Sequence, residues 1–396
     1  MSDQDPIVIV GAARTPMGGF QGVLSEVNAP DLGATAIQGA LKDAGVAPEL
    51  IEEIIMGCVL PAGQGQAPAR QAALGAGLPL GSGATTVNKM CGSGMKAAML
   101  AHDLLVAQSA EIIVAGGMES MTNAPYLLPK MRGGARLGHG QVIDHMFLDG
   151  LEDAYDKGRL MGTFAEDCAQ TYQFTREAQD AYAISSLERA QAAITEGRFK
   201  AEVTPVTVKT RRGETIVDTD EQPGNARPEK IPQLKPAFRK DGTVTAANSS
   251  SISDGAAALV LMRASKAEAL GLTPRARIVG HATYADKPSL FSTAPIGAMR
   301  KLSAKTGWEL ADVDLFEVNE AFAVVAMAAM RNLDLPHDKV NVNGGACALG
   351  QPIGASGARV MVTLLAAMED RGVNRGVASL CIGGGEATAI AIERIA

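Results

Sequence analysis

The chain has 396 residues, of which 46% are apolar and 20% are charged, and its formal net charge is −7. This length predicts two or three domains with cores that need no disulfides, and the acidic balance argues against a nucleic-acid partner. The five cysteines are irregularly spaced, which excludes a short-spaced zinc or thioredoxin-like motif and favours a reduced, cytoplasmic setting.

In the first half of the chain, apolar periodicity and glycine boundaries predict the order strand, helix, strand, helix, strand. We place these elements at residues 7–10, 31–44, 51–59, 95–107 and 111–115. The second of the two helices is almost wholly apolar or small, so we expect it to be buried all round. Gly116 and Gly117 are expected to end the strand that follows it.

The second half repeats this order of elements. A helix, a strand, two further helices and a strand are predicted at residues 300–307, 313–318, 321–331, 358–368 and 377–382. Strands that alternate with helices predict parallel sheets with helices on their faces. An internal duplication is the economical explanation, with the two apolar helices packed together between two sheets.

Between the halves, residues 122–252 are rich in proline and charge. One amphipathic helix is predicted at residues 176–196, with Asp180, Ser186 and Glu188 on its polar side. This segment is interpreted as a long insertion that covers a site rather than a third core domain. Its two basic clusters are typical of solvated loops, although a local patch for a polyanionic ligand stays open; they are Lys130, Arg132, Arg136 and Lys209, Arg211, Arg212.

Two cysteines lie at corresponding ends of the two repeats. Cys91 lies just before the buried helix of the first half, where the helix dipole favours a thiolate and neighbouring glycines admit a ligand. A small cysteine buried in a tight turn is the alternative. Cys381 ends a strand and precedes three glycines, at the edge where open α/β sheets place ligands. Asn319 follows a strand and is interpreted either as a helix N-cap or as a pocket amide.

Four motifs together resemble the thiolase family, and the resemblance covers essentially the whole chain in order. They are residues 88–97, Asn319-Glu320-Ala321-Phe322, residues 343–357 and residues 381–385, and residues 11–16 are also similar to the family's opening. The resemblance implies an α/β fold with two similar αβα halves, a five-layer αβαβα core and an inserted loop domain. The implied domains are residues 1–121 with 253–273, the loop domain 122–252 that covers coenzyme A, and residues 274–396.

Residue by residue, the resemblance implies a role for each motif. Cys91 would be the nucleophile that accepts an acyl group, and Cys381 would be the acid/base for the α-carbon of the second substrate. The backbone N–H groups of Cys91 and Gly383 would form one oxyanion hole, and Asn319 would position a water in the other. The residues assigned to coenzyme A contacts are Ser250, Met161, Ala321, Phe322 and Leu148.

The implied activity is that of an acyl-CoA C-acyltransferase that makes or cleaves 3-ketoacyl-CoA, such as acetoacetyl-CoA, in ping-pong order. Coenzyme A enters only as part of the substrates, and neither a cofactor nor a metal is expected. The family also implies a homotetramer. The first residues lack the features of a signal peptide and the longest apolar stretch, residues 321–330, is too short to cross a bilayer, so no membrane partner is expected.

Two residues depart from the family pattern. Gln351 stands where the family has a histidine that takes the proton of the nucleophilic cysteine and donates to a thioester oxygen. A glutamine donates a hydrogen bond but does not titrate, so impaired turnover is expected. The intact remainder of the pattern favours an engineered replacement over natural loss. Leu160 stands where some short-chain thiolases have a histidine, which leaves that contact and the acyl length open.

Other functions are weighed against this hypothesis. Gln351 also fits a non-enzymatic acyl-CoA binding protein. A ketoacyl synthase would use one cysteine with two histidines, and Cys381 argues against it. A dehydrogenase would need a glycine fingerprint after the first strand, which residues 11–16 do not provide. The remaining cysteines are assigned to structure or to pocket walls, and two histidines of the insertion to the surface or an interface; these are Cys58, Cys168, Cys347, His139 and His145.

Overall fold

The computed structural model describes residues 5–211 and 213–395, so Arg212 of the second basic cluster lies outside the described residues. In chain order, the strands are β1 (Ile7–Arg14), β2 (Gly18–Gly19), β3 (Glu53–Gly57), β4 (Gly83–Val87), β5 (Ile112–Ser120), β6 (Tyr126–Leu127), β7 (Ile143–Asp144), β8 (Val206–Thr210), β9 (Gly213–Val217), β10 (Ser253–Arg263), β11 (Ala276–Ala285), β12 (Leu315–Val318), β13 (Arg375–Ile382) and β14 (Glu386–Arg394). The α-helices are α1 (Ala29–Ala44), α2 (Pro68–Gly75), α3 (Ser93–Val106), α4 (Met161–Tyr172), α5 (Arg176–Thr195), α6 (Glu221–Asn225), α7 (Ala264–Ala269), α8 (Ala294–Thr306), α9 (Ala323–Leu333), α10 (Ala346–Leu349) and α11 (Ser356–Arg371). Among the described residues, none of the helices combines the length and the apolar character that crossing a bilayer requires.

The strands of both halves join edge to edge in the order β12-β13-β14-β11-β1-β10-β5-β3-β4, with β2 paired to β10. The halves meet where β1 pairs antiparallel with β11, with Val8 opposite Arg277 and Ile9 opposite Ala276. The first half has the order β1-α1-β3-α2-β4-α3-β5-β10, and the second half has the order β11-α8-β12-α9-α11-β13-β14. The two orders correspond element by element, except that the second half has no counterpart of β4 among the described residues. The predicted duplication is therefore present.

Each half of the sheet is mixed, so the prediction of parallel sheets is wrong in part. β3 pairs parallel with β4 and β5, and β12 pairs parallel with β13. β10 runs antiparallel to β5, and β14 runs antiparallel to β13. The reason is the connection: β13 and β14 are joined by a tight turn, and only parallel neighbours require a crossover.

Buried side chains form three large clusters that define the layers. The first lies under α1 and α2, the second surrounds α3 and α11, and the third lies under α8 and α9. The α3–α11 layer therefore sits between the two halves of the sheet, and the other helices cover the outside. The five-layer αβαβα core expected from the resemblance is confirmed.

The two central helices approach each other at glycines. A Cβ atom added at Gly357 of α11 would lie 2.4 Å from the backbone nitrogen of Met95, and one at Gly94 of α3 would lie 2.7 Å from that of Ala358. Side chains at these positions would push the helices apart. α3 is nevertheless not buried all round, since Asp103 and Val106 in its last turn are exposed.

β5 does not end at its glycines but continues through them to Ser120, which corrects the sequence interpretation. A Cβ atom at Gly117 would lie 2.0 Å from the carbonyl oxygen of Gly354, and one at Gly116 would lie 2.1 Å from that of Ala257. The glycines therefore allow close backbone approach within the strand. They do not serve as breakers here.

Gly117→Ala is expected to lower the melting temperature, because its methyl group would collide with the Gly354 carbonyl oxygen, a backbone atom. Overpacking of this kind costs about 1–3 kcal/mol. Gly81→Ala is the matched control, because a Cβ atom there meets nothing within 4 Å. Thermal unfolding of the two variants checks the prediction, and equal melting temperatures would contradict it.

The insertion leaves the sheet after β5, returns at β10 and packs α5 against the second half. Two residues assigned to the polar side of α5 are in fact buried: Asp180 accepts from Asn248 Nδ2 at 3.0 Å, and Ser186 Oγ donates to Glu320 at 2.7 Å. Helical periodicity does not reveal such distant hydrogen-bond partners, and this is why the two buried residues were assigned to the polar side. Glu188 is exposed, as predicted. His145 is also buried, with Nδ1 2.6 Å from Asp149, so its surface assignment is wrong.

Candidate active site

A largely apolar cavity of about 330 Å³ opens between the insertion and the ends of both halves. Its wall includes one cysteine from each half, since both Cys91 and Cys381 line it. The other polar groups at the wall include Gln351 and Ser250. The remaining surface is mostly hydrophobic, as expected for a site that buries a small organic group.

Cys91 lies in the turn between β4 and α3. The turn is closed by the Gly92 N–H, which donates to the Lys89 carbonyl at 3.0 Å, and by the Ser93 N–H, which donates to that of Met90 at the same distance. Gly92 brings this turn against the end of β13, because a Cβ atom there would lie 2.3 Å from Cδ1 of Ile382. The two cysteine-bearing segments are therefore in direct contact.

The surroundings of Cys91 favour its thiol over its thiolate. Burial raises its pKa to about 11, while hydrogen bonds from the backbone of Gly383, from its own backbone and from the side chain of Gln351 act in the opposite direction. Desolvation thus outweighs the hydrogen bonds that favour a thiolate, whereas the position of Cys91 before a helix had predicted a lowered pKa. Chemistry at this sulfur needs a group that removes its proton.

Cys381 lies near the end of β13 and is 1% exposed. Burial raises the pKa of its thiol well above the usual value, and the nearby Cys91 adds to this effect. The turn into β14 requires glycine at Gly384 and Gly385, which have φ values of 94° and 86°. Gly383, before them, lines the cavity beside both sulfurs.

Gln351 is held at its amide end. Ser250 Oγ lies 2.9 Å from Oε1 of Gln351, and Gln351 is 4% exposed. The single proton of the Ser250 hydroxyl lies between two acceptors, since the Ala321 carbonyl oxygen is 3.0 Å from the same Oγ. With Oε1 on the serine side, the amide NH₂ is turned toward Cys91, whose pKa it lowers. An amide in this position stabilises negative charge but takes up no proton.

Asn319 is not the N-cap of α9, which begins at Ala323 with Phe322 as its cap. It is 1% exposed, and its Oδ1 lies 3.5 Å from a guanidinium nitrogen of Arg359. Its Nδ2 has no hydrogen-bond partner among the described residues. Asn319 does not line the cavity, whereas Ala321, two residues further along the chain, does.

Of the residues assigned to coenzyme A, four line the cavity: Ser250, Met161, Ala321 and Phe322. Leu148 does not line it and is 40% exposed on the insertion. Leu160 contributes to the wall. Cys347 does not line it; its Sγ lies 3.7 Å from the carbonyl oxygen of Glu320.

No feature of the sequence indicated a role for Glu119, whose carboxyl group holds two loops of the site together. Its carboxyl group accepts the N–H groups of Val59 at 2.9 Å, Leu60 at 3.1 Å and Gly354 at 2.9 Å. Burial raises its pKa to about 7, against the effect of these hydrogen bonds. The residue ties the loop after β3 to the segment that carries Gln351.

Glu320 was quoted as part of a motif but was also given no role. Its buried carboxylate accepts from four donors around it: the Tyr182 hydroxyl at 2.9 Å, Ser186 Oγ at 2.7 Å, Asn341 Nδ2 at 2.8 Å and the Cys347 N–H at 3.0 Å. It fixes α5 of the insertion to the second half. The only sequence feature that could have indicated this role is that Glu320 is a charged residue directly before the apolar residues that lead into α9.

Glu317, on β12 beneath Asn319, pairs with Arg359 at 3.4 Å. Burial raises its pKa to about 8, Arg359 lowers it, and the charges of Glu320 and Glu202 raise it. In the unfolded chain the glutamate pKa is near 4.5. Between the two values the folded state holds a proton that the unfolded state releases, so stability falls as pH rises through this window.

Glu317→Gln is expected to remove this part of the pH dependence, because the amide resembles the protonated acid in size. The parent chain should lose on the order of a few kcal/mol of stability relative to the variant as pH rises from about 4.5 to about 8. Unfolding of both proteins at matched pH values checks this. Parallel stability curves would contradict it.

Comparison with known proteins identifies the family. Residues 7–265 match the family described as Thiolase, N-terminal domain, and residues 272–394 match Thiolase, C-terminal domain. An acetyl-CoA acetyltransferase of Thiocystis violacea is 50% identical over 394 residues, which are 99% of this chain and 100% of that relative. Acetyl-CoA acetyltransferase 2 of Arabidopsis thaliana is 51% identical over 391 residues, 98% of this chain and 96% of that protein. The crystal structure of the Bacillus anthracis acetyl-CoA acetyltransferase superposes with a TM-score of 0.96 at 42% identity, over 99% of both chains. The chain therefore belongs to the thiolase family.

Proposed function

We propose that this chain is an acyl-CoA C-acyltransferase that makes or cleaves 3-ketoacyl-CoA, such as acetoacetyl-CoA. One observation carries the proposal: Cys91 and Cys381, from the two repeats, line the same apolar cavity beside Gly383. A Claisen-type reaction requires a nucleophile that holds the acyl group and an acid/base that acts on the α-carbon of the second thioester. The names of the relatives agree with this chemistry.

In the first half-reaction, the Cys91 sulfur attacks the thioester carbonyl of acyl-CoA. The new C–S bond forms as the bond to coenzyme A breaks, and the departing thiolate takes up the proton that Cys91 gives up. The backbone N–H groups of Cys91 and Gly383 support the oxyanion, consistent with their hydrogen bonds toward the Cys91 sulfur. The product is an acyl-Cys91 thioester.

In the second half-reaction, the Cys381 thiol first releases its own proton, which the Cys91 thiolate recovers at the end of the step. The Cys381 thiolate then removes a proton from the α-carbon of acetyl-CoA. The enolate oxygen is stabilised by the Gln351 amide and by a water on Asn319, whose Nδ2 is a buried donor with no partner among the described residues. The carbanion attacks the acyl-Cys91 carbonyl, and Cys91 leaves as a thiolate. Thiolytic cleavage is the same sequence in reverse.

Gln351 is proposed to occupy the position of the family's catalytic histidine and to impair turnover. It supplies an N–H group but no base for the Cys91 thiol, whose pKa burial raises to about 11. Loss of general-base assistance lowers rates by about 10²–10⁴-fold. An engineered origin of this glutamine stays a prediction.

Coenzyme A is proposed to enter along the insertion. The position of Ser250, Met161, Ala321 and Phe322 at the cavity wall supports pantetheine contacts, and the exposed Leu148 is proposed to contact coenzyme A outside the cavity. The division into residues 1–121 with 253–273, 122–252 and 274–396 is part of this proposal. The homotetramer, the cytoplasmic location and the absence of metal, membrane and nucleic-acid partners stay predictions.

The activity is tested by thiolysis of acetoacetyl-CoA with coenzyme A. We expect a slow but measurable rate that is lost in Cys91→Ser. Cys168→Ser is the matched control, because Cys168 is a buried cysteine that does not line the cavity. Equal rates in the two variants would overturn the proposal.

A second candidate, non-enzymatic acyl-CoA binding, is favoured only by Gln351. Mass spectrometry after incubation with acetyl-CoA distinguishes the two functions. An acetyl group on Cys91 supports the enzyme, whereas binding without an adduct supports the second candidate. A ketoacyl synthase would place histidines at the cavity, and its wall in the described residues contains none.

A further inference from the structure

A cluster of two histidines and one aspartate lies outside the cavity, where α3 meets β11. Asp103 Oδ1 is 3.0 Å from Nδ1 of His102 and 2.9 Å from Nε2 of His281. The imidazole rings meet edge to face, with centroids 5.0 Å apart. His102 and Asp103 belong to the first half of the chain, and His281 belongs to the second half.

We propose that His102, Asp103 and His281 bind a divalent transition-metal ion, with zinc as the reference ion. The donor atoms of the three residues all lie within 4.8 Å of one another. Ligands of one tetrahedral zinc ion, at bond lengths of about 2.0–2.2 Å, are about 3.3 Å apart. Two of the three donor–donor distances, 3.0 Å and 2.9 Å, are therefore close to the spacing in a zinc site.

The chemistry of the donors selects the class of ion. Two imidazole nitrogens and one carboxylate oxygen suit zinc, cobalt or nickel, whereas calcium and magnesium prefer oxygen ligands alone. Three protein ligands leave a position for water. The site is also open to solution, because the Asp103 side chain is 56% exposed while those of His102 and His281 are 19% and 10% exposed.

A positive charge lies near the proposed ligands: Lys305 Nζ donates to the carbonyl oxygen of His281 at 3.1 Å. The charge of this lysine opposes that of a bound cation.

This site is separate from the proposed reaction. His102 lies nine residues along α3 from Ser93, beside Cys91. At about 1.5 Å per residue this is about 14 Å along the helix axis. A bound ion would join α3 of the first half to β11 of the second, so its role is to stabilise the junction of the halves.

Calorimetric titration of the metal-free full-length protein with zinc, after alkylation of accessible thiols, tests the proposal. His139→Asn is the matched control, since His139 is an exposed histidine of the insertion. We expect one zinc ion per chain in the control and at least about tenfold weaker binding in Asp103→Asn and His281→Asn. Because Asp103 is mostly exposed, its variant separates binding from folding. Absence of stoichiometric uptake, or equal affinity in all three variants, would overturn the proposal.

Discussion

Gln351→His is expected to raise the rate of acetoacetyl-CoA thiolysis by about 10²–10⁴-fold. The reason is the state of Cys91, whose thiol holds its proton because burial raises its pKa to about 11. An imidazole at position 351 would contact the same sulfur and the same serine hydroxyl, but it also accepts a proton near neutral pH. Steady-state thiolysis under identical conditions measures the gain.

Two control variants separate the effect of a base at position 351 from other effects of the substitution. Gln233→His adds a histidine at an exposed glutamine and should leave the rate unchanged. Gln351→Ala removes the amide donor as well, so its rate should fall below that of the parent chain. If Gln351→His gains nothing while remaining folded, the assignment of position 351 as the missing base is wrong.

Cys91→Ser and Cys381→Ala are expected to stop different halves of the reaction. Cys91→Ser should not form an acyl-enzyme, because the covalent bond is made at that sulfur. Cys381→Ala should still accept an acetyl group on Cys91 but should lose condensation by about 10²–10⁴-fold, since the α-carbon proton has no acceptor. Intact-protein mass spectrometry and exchange of the acetyl methyl protons with deuterated water report the two steps separately.

Cys168→Ala serves as the control for these variants, because it removes a buried thiol of the insertion that is not at the cavity wall. It should retain both acylation and proton exchange. Loss of proton exchange in Cys91→Ser with normal exchange in Cys381→Ala would reverse the proposed roles. Acylation of Cys91→Ser at another cysteine would remove the basis of the mechanism.

Much of the architecture could be predicted because the chain repeats itself. Glycine-bounded strands and two apolar helices predicted the layers, and the packing of α3 on α11 agrees with that interpretation. A glycine can end a strand or allow close backbone approach within it, and the apolar periodicity of the sequence does not distinguish these two roles. Gly116 and Gly117 were interpreted as strand ends, but they permit close approach within β5.

Parts of the candidate site were visible in motifs, and parts depend on distant partners. Cys91, Cys381, Gln351 and Ser250 meet at one cavity, as their motifs suggested. The hydrogen bonds that hold the site do not follow from local sequence, because Glu119 bonds to backbone groups far along the chain. The same limit made the buried Asp180 of α5 look like a surface residue.

The central claim is that one bound thioester lies between the two cysteine sulfurs, and a crystal structure after soaking with acetyl-CoA tests it most directly. The account predicts an acetyl group bonded to Cys91, its oxygen directed at the Gly383 N–H, and a second acetyl-CoA whose methyl carbon faces the Cys381 sulfur. Coenzyme A bound in another groove, or a Cys381 sulfur turned away from an acetylated Cys91, would contradict it.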